Sequence, residues 1–273
     1  RARNSTDPMR ISVLIHDCIE RGKSNDCGGA RYNELEPNIL GMQNVTESLN
    51  VIKRIVFDEK RVTISELNKA LEKNFADNED LLLYIRNKVI HFGTGDKEAS
   101  RIAKKVADMV LKTFSSMKTV RGAKIIPGAF SYREHEIQGR TTPASPDGRK
   151  AGMPLNDGSC PVQGYDNLGP TLSLISTVYW EPSRFLGGTS VNVKINKGID
   201  PKKISALIRG YLKTHGSQLQ FNIVDSETLL KAQENPEMYK DLLVRIGGYS
   251  DFFVTIPKEL QDEIISRSQN ETI

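Results

Sequence analysis

The sequence is poor in cysteine, in long apolar runs and in excess charge of either sign. Its 273 residues carry 38 basic and 34 acidic side chains, a formal net charge of +4, which is too small to indicate a nucleic-acid-binding protein. No apolar run approaches the roughly 20 residues that a bilayer-spanning helix needs. The opening residues, RARNSTDPMR, lack the apolar core of a signal peptide. We therefore expect no nucleic-acid partner and no membrane partner.

The three cysteines, Cys18, Cys27 and Cys160, form an odd count without the spacing of a metal site. So few cysteines are typical of a reducing compartment, and we expect a cytoplasmic protein. The sequence leaves the role of each cysteine open. The four histidines are scattered along the chain, so each is expected to be structural rather than a metal ligand. We expect no metal and no bound cofactor in this chain.

The pattern of apolar residues changes between residues 118 and 150. Upstream, 3.6-residue periodicity predicts helices over residues 9–22, 44–58, 79–89 and 97–117, and a further helix begins at Thr63, which has capping-box spacing to Glu66. Two of these helices have predicted buried faces: Ile11, Leu14, Ile15, Cys18 and Ile19 in the first, and Val45, Leu49, Ile52, Ile55 and Val56 in the second.

Downstream, strands alternate with helices. The predicted strands cover residues 124–132, 187–195, 218–224 and 242–246, with helices over residues 201–215 and from a cap at Ser226. Successive strands separated by a helix favour parallel strand pairing. The sequence therefore predicts an α/β protein with a mostly helical portion over residues 1–122 and a mixed portion over residues 123–273.

Two adjacent glycines, Gly247 and Gly248, lie between the last predicted strand and an aromatic cluster. Such a pair marks a turn that needs positive φ or a close backbone approach. Farther on, Pro257 suits a first helical position, and Leu260 and Ile264 fall on one face. The predicted order is strand, Gly-Gly loop, helix. Taken alone, the glycine pair is typical of a plain turn.

The surrounding residues are more specific. The segment RIGGYSDFFVTIPKELQDEIISRS resembles the C-terminal signature of glycyl radical enzymes. Three further segments resemble the same family: DCIERGK at 17–23, GGARYN at 28–33 and ASPDGRKAGMPLNDGSCPVQGYDNLGPT at 144–171. The likeness covers the chain from about Met9 to Ile273. It departs at Gly247, where Ser, Ala or Cys is usual, and at Asp251, where a small residue is common.

The resemblance implies the C-terminal part of the family's ten-stranded α/β barrel, with residues 1–122 in the pyruvate formate-lyase-like domain and residues 123–273 as the glycine radical domain. It implies that Gly248 carries the radical. A Cα radical delocalises between the amide nitrogen and the carbonyl only if its centre is planar, and a Cβ would crowd that plane. The expected supports of the loop are Arg245, Gly247, Tyr249, Phe252 and Phe253, the three rings anchoring it by burial.

The family passes its glycine radical to a cysteine in a Gly-Cys-x-Glu segment, and the resulting thiyl radical attacks the substrate. No cysteine of this sequence stands in such a segment. We therefore expect that cysteine upstream of Arg1, in a missing N-terminal part, and expect the chain to be a fragment that is inactive alone.

The resemblance further implies radical C–O, C–N or C–C cleavage of a small substrate, in the dehydratase, lyase and decarboxylase branch. Formate C-acetyltransferase activity, a stand-alone radical-carrying subunit and a non-enzymatic helical module stay open as alternatives. The radical would be installed by a partner, an activating enzyme that uses S-adenosylmethionine and an iron–sulfur cluster. The full-length enzyme would be a homodimer.

Overall fold

The computed structural model describes residues 9–195, 198–246 and 248–266. In the first portion lie helices α1 Met9–Ser12, α2 Met42–Ile52, α3 Ile64–Glu72, α4 Glu79–Lys88 and α5 Lys97–Ser115, and a π-helical stretch, Lys53–Asp58, extends α2. The second portion contains α6 Glu134–Thr141, α7 Pro170–Tyr179, β1 Asn192–Lys194, α8 Pro201–Lys213, β2 Gln220–Asn222, α9 Ser226–Glu234, β3 Leu243–Arg245, β4 Ser250–Phe252 and α10 Lys258–Ser266. The first portion is helical, and the second combines helices with short strands, of which the first is Asn192–Lys194.

The predicted helix over residues 9–22 is wrong beyond Ser12, after which the chain forms successive turns. Asp17 has a φ of +74°, a left-handed conformation that an α-helix cannot contain. Its carboxylate pairs with Arg21 at 2.9 Å and with Arg31 at 2.7 Å, which stabilises the turn instead. Of the predicted apolar stripe, Cys18 is buried, whereas Ile11, Leu14 and Ile19 are exposed.

Helix α2 buries a polar face, which the sequence did not predict. Val45 and Leu49 are 49% and 42% exposed, and Ile55 in the π-helical extension is buried. The buried polar side chains include Gln43, Asn44, Glu47 and Asn50. Asn44 donates from Nδ2 to Asp147 at 2.7 Å, and Glu47 lies 2.9 Å from His91 Nδ1. Burial is tolerated because distant segments satisfy these groups.

Burial raises the pKa of the Glu47 carboxyl above its ordinary value, and its hydrogen bond to His91 works against that rise. The carboxyl accepts hydrogen bonds from the Phe92 N–H and from Asn50 Nδ2. The ring of His91 also stacks on Tyr165, with centroids 3.6 Å apart. This cluster joins the first portion of the chain to the segment that follows Pro161.

Two capping assignments have different outcomes. The capping box of α3 is confirmed, since Thr63 and Glu66 exchange both hydrogen bonds. The cap of α9 is Asp225 rather than Ser226, because the Asp225 carboxylate accepts from the Thr228 N–H while Ser226 already lies in the first turn.

The strands that position the site are short. β1 and β2 pair in parallel, with Asn192 opposite Gln220 and Lys194 opposite Asn222, which confirms the predicted parallel pairing for these two strands. For the third strand the prediction is wrong, because the chain reverses at Gly248 and β3 pairs antiparallel with β4. The predicted strand at residues 124–132 is wrong. It is an extended segment with isolated bridges, such as Ala129 to Thr189. Pro127 has no N–H to offer a ladder there. In the described part of the chain, no helix has the length and apolarity to cross a membrane.

Candidate functional site

Gly248 lies at the tip of a β-hairpin. β3 and β4 pair antiparallel, with Arg245 opposite Ser250, and the Ile246 N–H donates to the Tyr249 carbonyl at 2.9 Å to close the turn. Gly248 has a φ of +85° and is exposed. A positive φ of this size is the conformation for which glycine is favoured. Gly247, a predicted support of the loop, lies outside the described residues.

Strand β4 adds an element to the predicted order of strand, loop and helix. After the turn the chain first forms β4 and only then α10. The sequence signals for this strand were weak. Ser250–Phe252 contains three residues, too few for an alternating pattern to be visible. The Gly-Gly pair is the sequence feature that indicates a hairpin here.

Two side chains bind the main chain of Gly248. The Gly248 N–H donates to Gln220 Oε1 at 3.3 Å, and the Gly248 carbonyl accepts from Arg245 Nη2 at 3.0 Å. Arg245 Nε donates to the same Gln220 oxygen. Arg245 therefore lies where the sequence predicted a supporting residue. Gln220, only 6% exposed, was not predicted, because its contact with Gly248 depends on strand packing 28 residues apart.

Side-chain amides from β1 and β2 bind the strand that leads into the turn. Asn222 donates from Nδ2 to the Arg245 carbonyl at 2.8 Å and accepts from the Arg245 N–H at 2.7 Å. Asn192 donates from Nδ2 to the Ile246 carbonyl at 2.6 Å. The predicted strands 187–195 and 218–224 thus supply the anchors of the hairpin through the side chains of Asn192 and Asn222.

A buried polar chain continues from Asn192 to helix α10. Asn192 Nδ2 also donates to Asp157, which accepts from Ser131 Oγ at 2.5 Å. Asp157 Oδ1 lies 3.9 Å from His135 Nδ1, and His135 Nε2 lies 3.4 Å from Glu263 Oε2 on α10. The segments before and after the Gly248 turn are therefore tied to one polar network.

The three aromatic side chains after the turn differ in burial. Phe253 is fully buried, with a core that contains Val244, Ile246, Ile256, Leu260 and Ile264. Tyr249 packs against the same core and is half-buried, and this burial raises the pKa of its phenol. Phe252 is 40% exposed. The prediction that Phe252 anchors the loop by burial is therefore wrong, since alternation along β4 directs its side chain outward.

The cysteines lie in three different environments. Cys18 is buried and Cys27 is exposed. The Sγ of Cys160 accepts from the Asn192 N–H at 3.1 Å, which places this thiol beside the strand that binds the turn. Across the described ranges, no group of three or more His, Cys, Asp or Glu side chains has the arrangement of a metal site.

Comparison with known proteins places this geometry in a family. The chain matches the pyruvate formate lyase-like family over residues 3–139 and the glycine radical domain over residues 155–254. It is 36% identical over 266 residues to trans-4-hydroxy-L-proline dehydratase of Clostridioides difficile, and 35% identical over 269 residues to (2S)-3-sulfopropanediol dehydratase of Klebsiella oxytoca. Each alignment covers 95% of this chain and 33% of the relative.

The structure agrees with the sequence comparison. It superposes on the glycerol-bound B12-independent glycerol dehydratase from Clostridium butyricum with a TM-score of 0.89 and 37% identity, covering 94% of this chain and 33% of that one. The chain belongs to the glycyl radical enzyme family, and its partial α/β fold is the one predicted. Its relatives include dehydratases, decarboxylases and a sulfite-lyase. The chain spans about a third of their length.

Proposed function

We propose that Gly248 stores a carbon-centred radical for a glycyl radical enzyme. The observation that carries this proposal is the pair of contacts to its main chain, Gln220 to the N–H and Arg245 to the carbonyl. An α-carbon radical is stabilised when the nitrogen donates electron density and the carbonyl withdraws it. Gln220 Oε1 favours donation by accepting the N–H, and the cationic Arg245 favours withdrawal through a charge-assisted hydrogen bond.

The position of Gly248 also suits a radical that must enter and leave. The residue is exposed at the hairpin tip, whereas the hairpin base is bound to Asn192 and Asn222 and to the core around Phe253. The base therefore holds the α-carbon in a defined place, and the tip is the part of the hairpin that a partner would approach. Gly247 and Tyr249 complete the proposed support of the loop.

Radical transfer is proposed to run from Gly248 to a cysteine outside this sequence, and from that cysteine to a small-molecule substrate. Cys18, Cys27 and Cys160 do not stand in the Gly-Cys-x-Glu context that the family uses. The chain would then be a fragment that stores the radical but does not turn over alone. Because its relatives carry out dehydration and decarboxylation, we propose C–O, C–N or C–C cleavage as the reaction class.

The proposal also includes two protein partners and a homodimeric organisation. The radical would be installed by an S-adenosylmethionine and iron–sulfur activating enzyme, and the chain would work with the part that carries the cysteine, within a cytoplasmic homodimer. We propose that the glycine radical domain begins at residue 123.

Electron paramagnetic resonance after anaerobic activation tests the radical site, with the activating enzyme and the complementary part of the enzyme supplied. Gly248→Ala should abolish the radical signal. Gly122→Ala is the matched control, because Gly122 also has a positive φ of +77° but has open space where a Cβ would stand. An undiminished signal in Gly248→Ala, or its loss in Gly122→Ala as well, would contradict the assignment.

A further inference from the structure

The ring of Tyr132 lies against one side of Gly248. A Cβ built on Gly248 would lie 3.3 Å from Tyr132 Cε1 and 3.7 Å from Cδ1. The α-hydrogen that occupies this direction therefore points at the ring. A reactant approaching Gly248 from that side meets Tyr132 first.

The backbone of Tyr132 is itself unusual. Its φ is +46°, which is uncommon for a residue with a bulky side chain. Ring contacts accompany this conformation. Tyr132 packs edge-on to Phe130, with centroids 5.1 Å apart at 89°, and lies 6.5 Å from the ring of Tyr249. The left-handed residue and the aromatic neighbours together fix the ring over the turn.

One hydrogen-bond network connects the segment of Tyr132 to the turn of Gly248. Ser131, the residue before Tyr132, is buried and donates to Asp157, which also accepts from Asn192. Asn192 binds the carbonyl of Ile246 at the entrance of the turn. Buried and partly buried hydrogen bonds below the exposed tip therefore connect the segment of Tyr132 to the turn of Gly248.

We propose that Tyr132 is a positioning residue that covers Gly248 while the hairpin is docked. The ring shields one side of the α-carbon radical from dioxygen, whose addition would form a C–O bond and destroy the radical. The same contact favours the docked turn, so the turn and the ring must separate before the activating enzyme removes the covered hydrogen atom. That step breaks the Gly248 C–H bond, transfers the hydrogen atom to the radical of the activating enzyme and leaves one unpaired electron on Gly248. This role rests on the proposed function of Gly248.

Two variants separate the ring from the rest of the side chain. Tyr132→Phe keeps the ring and removes the hydroxyl. Tyr132→Asn removes the ring, and asparagine tolerates a positive φ, so backbone strain is not increased. Tyr32→Asn, at a 75% exposed tyrosine, is a control for the loss of a surface ring.

The first measurement is the decay of the radical signal in activated enzyme at a fixed low dioxygen concentration, compared with its decay under argon. Tyr132→Asn should decay several-fold faster than wild type in dioxygen and at the wild-type rate under argon. Tyr132→Phe and Tyr32→Asn should match wild type in both. Equal decay of Tyr132→Asn and wild type in dioxygen would overturn the shielding role.

The second measurement, amide hydrogen exchange of the non-activated protein, does not need the radical. Tyr132→Asn should raise exchange at Gly248 and Tyr249 above the level in Tyr132→Phe. Unchanged exchange would overturn the docking role even if the radical forms. The two measurements also separate this inference from the proposed function. If the wild-type enzyme gives no radical, the proposed function of Gly248 and the shielding role of Tyr132 both fail. A rise of hydrogen exchange in Tyr132→Asn would still show that the Tyr132 ring holds the turn.

Discussion

The side-chain amide of Asn222 makes two hydrogen bonds to the main chain of Arg245, as a neighbouring strand residue would. Nδ2 donates to the Arg245 carbonyl at 2.8 Å, and Oδ1 accepts from its N–H at 2.7 Å. The hairpin that carries Gly248 is thus joined to the parallel β1–β2 pair through side chains. Opening this junction breaks side-chain hydrogen bonds and leaves the β1–β2 pairing intact, as the proposed release of the hairpin for activation requires.

Replacing Asn222 by leucine should loosen this junction. Asn222 is 7% exposed, and its loss leaves the Arg245 N–H and carbonyl without those bonds. A buried polar group left unpaired costs about 1–3 kcal/mol, so we expect the free energy of unfolding in urea to fall by about that amount. Asn68→Leu is the matched control, since Asn68 is exposed and binds Glu72 at the surface of α3. Equal losses in the two variants would contradict the role of Asn222.

The two phenylalanines after the turn should behave differently. Phe253 is fully buried, and Phe→Ala in a core costs roughly 3–5 kcal/mol, so Phe253→Ala should destabilise the protein strongly and raise hydrogen exchange across residues 244–256. Phe252→Ala should have a small effect on both, because its ring is 40% exposed. Similar exchange in the two variants would show that burial of Phe253 does not hold the hairpin.

Replacing Arg245 by lysine should lower the stability of the radical. The guanidinium binds both Gln220 and the Gly248 carbonyl, and an ammonium group cannot reproduce that planar arrangement. Arg245→Lys should lower the number of spins per activated chain and speed radical decay under argon. Arg209→Lys, at an exposed arginine of α8, is the control. A wild-type spin count in Arg245→Lys would rule out electronic support by this side chain.

Alkaline pH should destabilise the protein through Tyr211. Burial raises the pKa of its phenol from 10.0 to about 12. Between these values the folded state retains a proton that the unfolded state has lost, so the free energy of unfolding falls as pH rises. Tyr211→Phe should reduce that fall, which urea unfolding at a series of alkaline pH values will measure. Parallel curves for wild type and variant would contradict this assignment.

The sequence predicted what depends on local periodicity and short motifs. Residues 201–213 form the predicted helix, Thr63 and Glu66 form the capping box, and the strands at Asn192–Lys194 and Gln220–Asn222 pair in parallel. The helix and the capping box are encoded by residues that are near one another in the chain. The parallel pairing follows from the interval of strand, helix and strand.

The features that the sequence did not predict depend on contacts between residues that are far apart in the chain. The buried face of α2 is polar because Glu47 meets His91 and Asn44 meets Asp147, and hydrophobic periodicity contains no information about such pairs. For the same reason the amide of Gln220 could not be assigned to Gly248 before the strands were placed. Local pattern locates the glycine, and tertiary packing supplies the groups that bind it.

The central claim is that Gly248 carries the radical, and cleavage by dioxygen tests it most directly. Dioxygen adds to the radical carbon, and the backbone then breaks at that residue. Mass spectrometry of activated, air-exposed protein should detect a C-terminal peptide that comprises residues 249–273, absent from non-activated protein and from Gly248→Ala. An activated chain that stays intact in air, or that breaks at a different glycine, would contradict the account.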